Sequence, residues 1–407
     1  MEKDSNFSIF SLIYIIIFIL ITFSGTTFLK KYVPIMFIIE IIILFLMAKT
    51  TQGKLAAFTN KKIKTLIPFF LVIFFCLFLC TQLNYAFSPR IVKTYLIRYM
   101  IMSLFLLYIP NINIFYNSIQ YTKKYSILVA VSIIIFTSIL GYKSGGLVGD
   151  FQAGGMIMSI ACIIYIIDYF LMNNNKTNIV SLFLCIISLL ISGKRMFSII
   201  VVVSFFAIFL LTNNKKKTRK MILFILLASV GIIMVLNFYP KAREVFNRFD
   251  KSSSLVEVTS GRNVLWDKAL IAYNQNKIHG IGFGSFQLYF ASKYNIQGID
   301  AFLTHNIYIG LLAETGIIGF LIYTFLIFFS LRMIIKLGRR VKKCGNIKLY
   351  YVYLYSLMIQ LWVILYGFTG NIIYNADQTF IYFISIAMMI SIERELSNRR
   401  NTNEINQ

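Results

Sequence analysis

Long apolar runs separated by short polar links fill most of this chain. The runs at 7–23, 33–48 and 221–238 are apolar over roughly the 17–25 residues that a bilayer-crossing helix needs. Read from end to end, the pattern predicts about twelve spans: 7–24, 33–48, 66–83, 93–109, 125–140, 152–171, 179–192, 196–212, 221–238, 304–331, 349–370 and 378–392. The fold class expected is all-α, a polytopic membrane protein forming a single transmembrane domain over 1–407. A closed β-barrel would show short alternating strands, which the sequence lacks. The first run follows Glu2, Lys3 and Asp4 and has no small-residue cleavage site, so it reads as a first span, not a signal peptide.

The polar links give the orientation. Residues 49–64 hold five lysines, 213–220 read NNKKKTRK, 332–348 hold seven basic residues, and the tail carries Arg394, Arg399 and Arg400. An even number of spans puts all of these on the side of both termini, which the positive-inside rule makes cytoplasmic. The long link 239–303 then becomes an extracytoplasmic loop. Within it, 262–275 place Leu265, Trp266, Ala269, Leu270 and Tyr273 on one helical face, and Asn263, Asp267, Lys268 and Asn274 elsewhere. That is the pattern of an amphipathic helix lying in the interface. Pro240 to Asp250 offers a second short amphipathic piece.

Composition agrees: 58% of residues are hydrophobic and 14% charged, too few for the surface of a soluble protein of 407 residues. The net charge of +25 is carried in the loops, where it meets headgroups; no separate basic domain suggests nucleic acid. The five cysteines show neither metal-ligand spacing nor a disulfide framework and read as small packing residues.

Candidate chemistry collects on the outer side. His305 stands at the mouth of the span that begins at 304. A helix N-terminus there would attract phosphate and lower the imidazole's pKa. Lys194 and Arg195 sit in the very short outer link SGKR, and Arg262 opens the loop helix one turn before Trp266. Arginine forks suit phosphate oxygens, so Arg195, Arg262 and a helix N-terminus make a diphosphate cradle, with Arg90, Lys93 and Arg98 as further candidates. Glu40 lies mid-span and Asp168 near an inner end. Glu314 lies nine residues after His305, on roughly the opposite face of a regular helix, and reads as a structural partner for a basic or hydroxyl group. Asp377 opens the last span and is a candidate for sugar binding. Gly280, Gly282 and Gly284 lack the βαβ context of a dinucleotide loop and read as a tight turn. His279 beside them reads as exposed.

Together SGKR, the loop segments GRNVLW and HGIGFGSF, and HNIYIGLLAETGIIG resemble the O-antigen polymerase and O-antigen ligase (Wzy/WaaL-like) family, with the signature over 190–320. His279 departs from it, standing where the family pattern has proline. The resemblance implies a metal-independent glycosyltransferase, without cofactor, acting on the outer face of the bacterial cytoplasmic (inner) membrane. It implies a donor glycan on undecaprenyl diphosphate, contact with membrane lipids, and a flippase and chain-length regulator as partners. By matched position, Arg195 and Arg262 would bind the diphosphate, and Lys194 and Arg98 would join them from their place at the outer face. His305 would act on the acceptor hydroxyl or orient the diphosphate, and Asn306 and Asp377 would contact acceptor sugar. Three functions follow: a repeat-unit polymerase for O-antigen or capsular polysaccharide, preferred because such polymerases are the more numerous members; a ligase moving the finished glycan to lipid A–core; and a lipid-linked oligosaccharide flippase. Transporters show repeated halves and midplane charge, and this chain shows neither.

Overall fold

The computed structural model describes residues 111–140, 145–172, 176–212, 217–239, 262–294 and 303–405. Every regular element among them is helical, and no strand occurs among the described residues. The ten α-helices, in chain order, are α1 (Ile112–Leu140), α2 (Phe151–Leu171), α3 (Lys176–Ile191), α4 (Arg195–Leu211), α5 (Lys217–Phe238), α6 (Arg262–Gln275), α7 (Phe286–Tyr294), α8 (Ile307–Cys344), α9 (Ile347–Gly367) and α10 (Ala376–Ile405). The four spans expected before residue 110, with Glu40, Arg90, Lys93 and Arg98, lie outside the described residues, as does the piece expected at 240–250.

Five helices, α1, α2, α5, α8 and α9, are long and apolar enough to cross a membrane, and α3 and α4 are shorter apolar helices. Helices apolar on every side belong inside a bundle or against lipid, and the burial separates the two cases. Nearly all of α2 is buried, from Ala153 to Phe170, and most of α9 likewise. These two form the pillar on which α1, α3, α4, α8 and α10 pack. On α5 only Lys220, Phe224, Gly231 and Val235 are buried, so it stands at the rim.

Several expectations about the helices need revision: α1 begins at Ile112, ahead of the span expected at 125–140, and α10 runs to Ile405, past the one expected at 378–392. The span expected at 304–331 is a helix that begins at Ile307, runs to Cys344 and breaks at Gly316, whose φ is 63° and ψ −167°. At about 1.5 Å per residue α8 would be about 57 Å long and α9 about 31 Å. Yet Gly338 of α8 lies against Tyr353 of α9, and Tyr308 reaches the Ile364 carbonyl. The break at Gly316 absorbs the surplus length. The loop helix α6 packs on the first turns of α8: Ala269 and Ala272 are buried with Ala313 and Ile309, while Leu270, expected on the apolar face, is exposed. A protein partner thus covers the face expected to meet the interface.

The glycine turn explains how the break is tolerated. A break at Gly316 withdraws the helical donors that the carbonyls of Ala313 and Glu314 would otherwise accept from. Ile281 and Gly282 donate to those two carbonyls at 3.0 and 2.9 Å, and Ile317 donates back to Lys277 at 2.8 Å. The backbones meet so closely that a Cβ on Gly280 would stand 2.3 Å from the Glu314 carbonyl carbon, and one on Gly316 2.2 Å from the Ile278 oxygen.

Candidate active site

Several helices begin at one place. Arg195 is the first residue of α4, Arg262 the first of α6, and Asn306 caps α8 directly after His305. Gln152 lies in the first turn of α2 and Asp377 in that of α10. Each helix N-terminus carries partial positive charge. The sequence pointed to one such terminus; the structure brings Arg195 and Arg262 to two more.

Tyr366, near the end of α9, stands at the centre. Gln152 donates its side-chain N–H to the Tyr366 hydroxyl at 2.9 Å, and Asp377, Gln378 and Arg262 are its other electrostatic neighbours. Phe197, one turn into α4, stacks on the Tyr366 ring at 4.7 Å. The SGKR link can lie this low because α2 has Gly155 where a Cβ would meet Ser192 and Phe197 at 2.9 and 3.1 Å.

Arg262 is half-buried and donates from Nη1 to the Thr369 carbonyl at 3.3 Å. Burial lowers its pKa below the ordinary arginine value; Tyr366 opposes the shift and the Arg195 charge adds to it. His305 adopts a left-handed φ of 49°, the one such non-glycine residue among those described, which turns the chain into α8. Its pKa falls to about 4, first by burial, then through the charges of Arg262 and Lys194. The imidazole is therefore neutral at physiological pH, as the sequence suggested, but the causes are desolvation and two cations.

The turn before α8 is tightly held. Trp266 donates its indole N–H to the Thr304 carbonyl at 2.9 Å, and the Thr304 hydroxyl reaches the Asn306 carbonyl and Asn371 Oδ1 at 3.0 and 3.3 Å. Asn306 Oδ1 accepts from the backbone N–H groups of Tyr308 and Ile309. Those N–H groups already have an acceptor in Asn306 Oδ1, so the end of α8 offers an anion its dipole more than its donors.

The remaining candidates fall as follows. Arg195, Arg262, Lys194 and His305 share one electrostatic neighbourhood. Lys194 Nζ lies 4.5 Å over the Phe151 ring. Asp377 is buried beside Tyr366 and accepts from the Gln378 backbone. Arg98 lies outside the described residues. Glu314 is no partner for His305: its carboxylate accepts from the backbone of Gly284 at 2.9 Å and Phe286 at 3.0 Å and from the Tyr374 hydroxyl. It has the hydroxyl partner expected of it. His279 is exposed. Among the described residues no cluster of histidine, cysteine and acid has the form of a metal site.

Sequence reasoning missed Tyr366, Gln152, Gln378 and Thr369. All four are uncharged, and Tyr366 and Thr369 sit in apolar or neutral surroundings in the sequence, while Gln152 and Gln378 stand close to Asp150 and Asp377, whose charges mark only those positions. The triplet of Gly367, Thr369 and Gly370 after an apolar span was the one available signal of a turn at Tyr366.

Comparison with curated proteins finds no match. Residues 180–324 match the family model described as O-antigen ligase. That segment holds α3 to α7 and the start of α8, and with them Lys194, Arg195, Arg262 and His305, while Gln152, Tyr366 and Asp377 complete the cluster from outside it. The multi-helix membrane protein whose cations converge before α8 thus has a segment, residues 180–324, that is similar to the O-antigen ligase family.

Proposed function

We propose that the protein is a repeat-unit polymerase that transfers a growing glycan from undecaprenyl diphosphate to a lipid-linked acceptor unit at the outer face of the cytoplasmic membrane. The observation that carries this reading is the overlap of charge at His305: among the described residues the charges that act on its imidazole, Arg262 and Lys194, are both cations, and Arg262 in turn feels Arg195. Half-buried like charges held together favour a multivalent anion, and a lipid diphosphate supplies one.

In the reaction the acceptor hydroxyl attacks the anomeric carbon of the donor glycan. The bond from that carbon to the diphosphate oxygen breaks, and the electron pair leaves with the diphosphate. Arg195 and Arg262 stabilise the departing charge, the larger requirement for so good a leaving group. The acceptor's proton passes to His305 Nδ1 or Nε2, or to the diphosphate. With a pKa near 4 the imidazole by itself is a weak base. A bound diphosphate offsets the two cations and raises its proton affinity toward the useful range.

The family description favours a second reading, transfer of the finished glycan to a surface acceptor. Surface-polysaccharide profiles of a deletion strain distinguish the two. Single repeat units on the surface anchor mean polymerase; full-length chains held on the lipid carrier mean ligase. Arg195→Ala, Arg262→Ala or His305→Ala should fail to complement while the protein accumulates normally. Normal profiles from all three would overturn the site assignment.

A further inference from the structure

The part of α8 beyond Gly316 presents a feature that glycan transfer does not use. At 100° per residue, Leu321, Phe325, Phe328, Arg332, Lys336, Arg339 and Lys343 fall within about 40° of one line along the helix. All seven are exposed: the apolar members by 57%, 53% and 62%, and the four cations likewise. The opposite side, with Ile334, Leu337, Gly338 and Val341, is buried in the bundle. Arg340, turned about 80° from the line, is the cation the protein uses for its own packing, bonded to Glu393 at 2.6 Å. None of the four stripe cations has a partner among the described residues.

Orientation in the membrane requires basic residues on one side, but not on one helical face. The single face, and its apolar continuation into the span, ask for a ligand with both parts. We propose that this face of α8 binds anionic phospholipid of the leaflet nearest the α8–α9 turn. The phosphates lie on Arg332, Lys336, Arg339 and Lys343, and the acyl chains run along Leu321, Phe325 and Phe328. The positive-inside reading makes this leaflet cytoplasmic, opposite the His305 site. The four cations span about 16 Å along the helix, more than the headgroup layer of about 5–8 Å. Their long side chains close the difference by bending toward the layer from both ends. An acidic protein segment would match the cations and leave the phenylalanines uncovered, so lipid is the better occupant.

The test uses the full-length protein in nanodiscs of phosphatidylcholine with increasing phosphatidylglycerol, and counts co-purifying lipids by native mass spectrometry. Wild type should retain phosphatidylglycerol over phosphatidylcholine by on the order of tenfold or more, with the preference falling as salt rises. The variant R332Q/K336Q/R339Q/K343Q should lose it. A control, K54Q/K61Q/K62Q/K64Q, removes the same charge from the 49–64 segment, which the sequence pattern assigns to the same side, and should keep it. F325A/F328A should weaken retention without changing headgroup preference. Equal retention of the two lipids by wild type, equal loss in the stripe variant and the control, or complete displacement by inorganic phosphate would each overturn the proposal. If the stripe variant fails to fold, R332Q/K336Q and R339Q/K343Q decide instead: each should lose part of the preference that the control keeps, and an undiminished preference in both would overturn the proposal.

Discussion

Trp266 donates its indole N–H to the carbonyl oxygen of Thr304 at 2.9 Å, tying the helix that opens with Arg262 to the turn that presents His305. The bond crosses 38 residues of sequence and fixes the spacing of two candidate site residues that belong to different helices. Trp266→Phe keeps an aromatic ring and removes the donor. The lost hydrogen bond should cost about 0.5–1.5 kcal/mol of stability, a small shift in melting temperature. Transfer should fall further, about tenfold to a hundredfold, because small displacements of reacting groups are expensive. Activity of reconstituted protein beside its thermal melt checks this; a fall in melting temperature with undiminished transfer would show that the bond serves the fold alone.

Gly316 and Gly345 both have left-handed φ, 63° and 67°, but their surroundings differ. A Cβ on Gly345 meets nothing within 4 Å, whereas one on Gly316 meets the Ile278 backbone at 2.2 Å. Gly345→Ala should therefore cost only the conformational penalty of about 1–2 kcal/mol. Gly316→Ala adds a backbone collision and should displace the 277–284 turn from α8, with much lower yield of folded protein. Melting curves of the two variants in one detergent make the comparison. Equal losses would mean that the turn does not hold α8 as described.

That turn marks how far the sequence could be read. The apolar runs located most of the described helices to within a few residues, because burial in a bundle or in lipid makes the same demand on every turn. The glycines announced a tight turn by their type. Their partner, the break at Gly316, was hidden in an unbroken apolar run, since a single glycine there is also consistent with a continuous helix. At the site, charge made Arg195, Arg262, Lys194 and His305 conspicuous. Tyr366 and Gln152, 214 residues apart, are joined only by the crossing of α2 and α9, which neither local sequence specifies.

The two histidines allow the electrostatics to be tested directly. Burial, then Arg262 and Lys194, brings the pKa of His305 from 6.5 to about 4. The folded value is the lower one, so between the two the unfolded chain binds more protons and stability rises with pH. The contribution of His305 is therefore complete above about 6.5, declines as pH falls through the window, and is lost below about 4. Wild-type melting temperature should fall more steeply across that window than that of His305→Gln; parallel curves would exclude this histidine as the group responsible. Inorganic diphosphate should raise the His305 titration midpoint in an NMR experiment, and an unchanged midpoint would count against a diphosphate held by these cations.

At the other end of α2, Lys123 bonds Asp168 at 2.6 Å, with side chains 16% and 2% exposed. Lys123 also approaches Asn178 Oδ1 at 3.4 Å, and the Tyr165 hydroxyl donates to its carbonyl, so the pair joins α1, α2 and α3. Asp168 is 16 residues from Gln152, about 24 Å along α2 from the candidate site. A buried ion pair is costly to break because the surviving charge stays desolvated, whereas removing both charges is far milder. Asp168→Leu alone and Lys123→Met alone should each lose about 3–5 kcal/mol, and the double variant should recover most of that loss. Transfer per folded molecule should be unchanged in all three, because the pair fixes helices and touches nothing at Tyr366. Denaturation of the four proteins measures the first statement and turnover normalised to folded protein the second. Additive losses in the double variant would mean that the two charges act separately, and a turnover defect in well-folded Asp168→Leu would place this end of the bundle in the reaction.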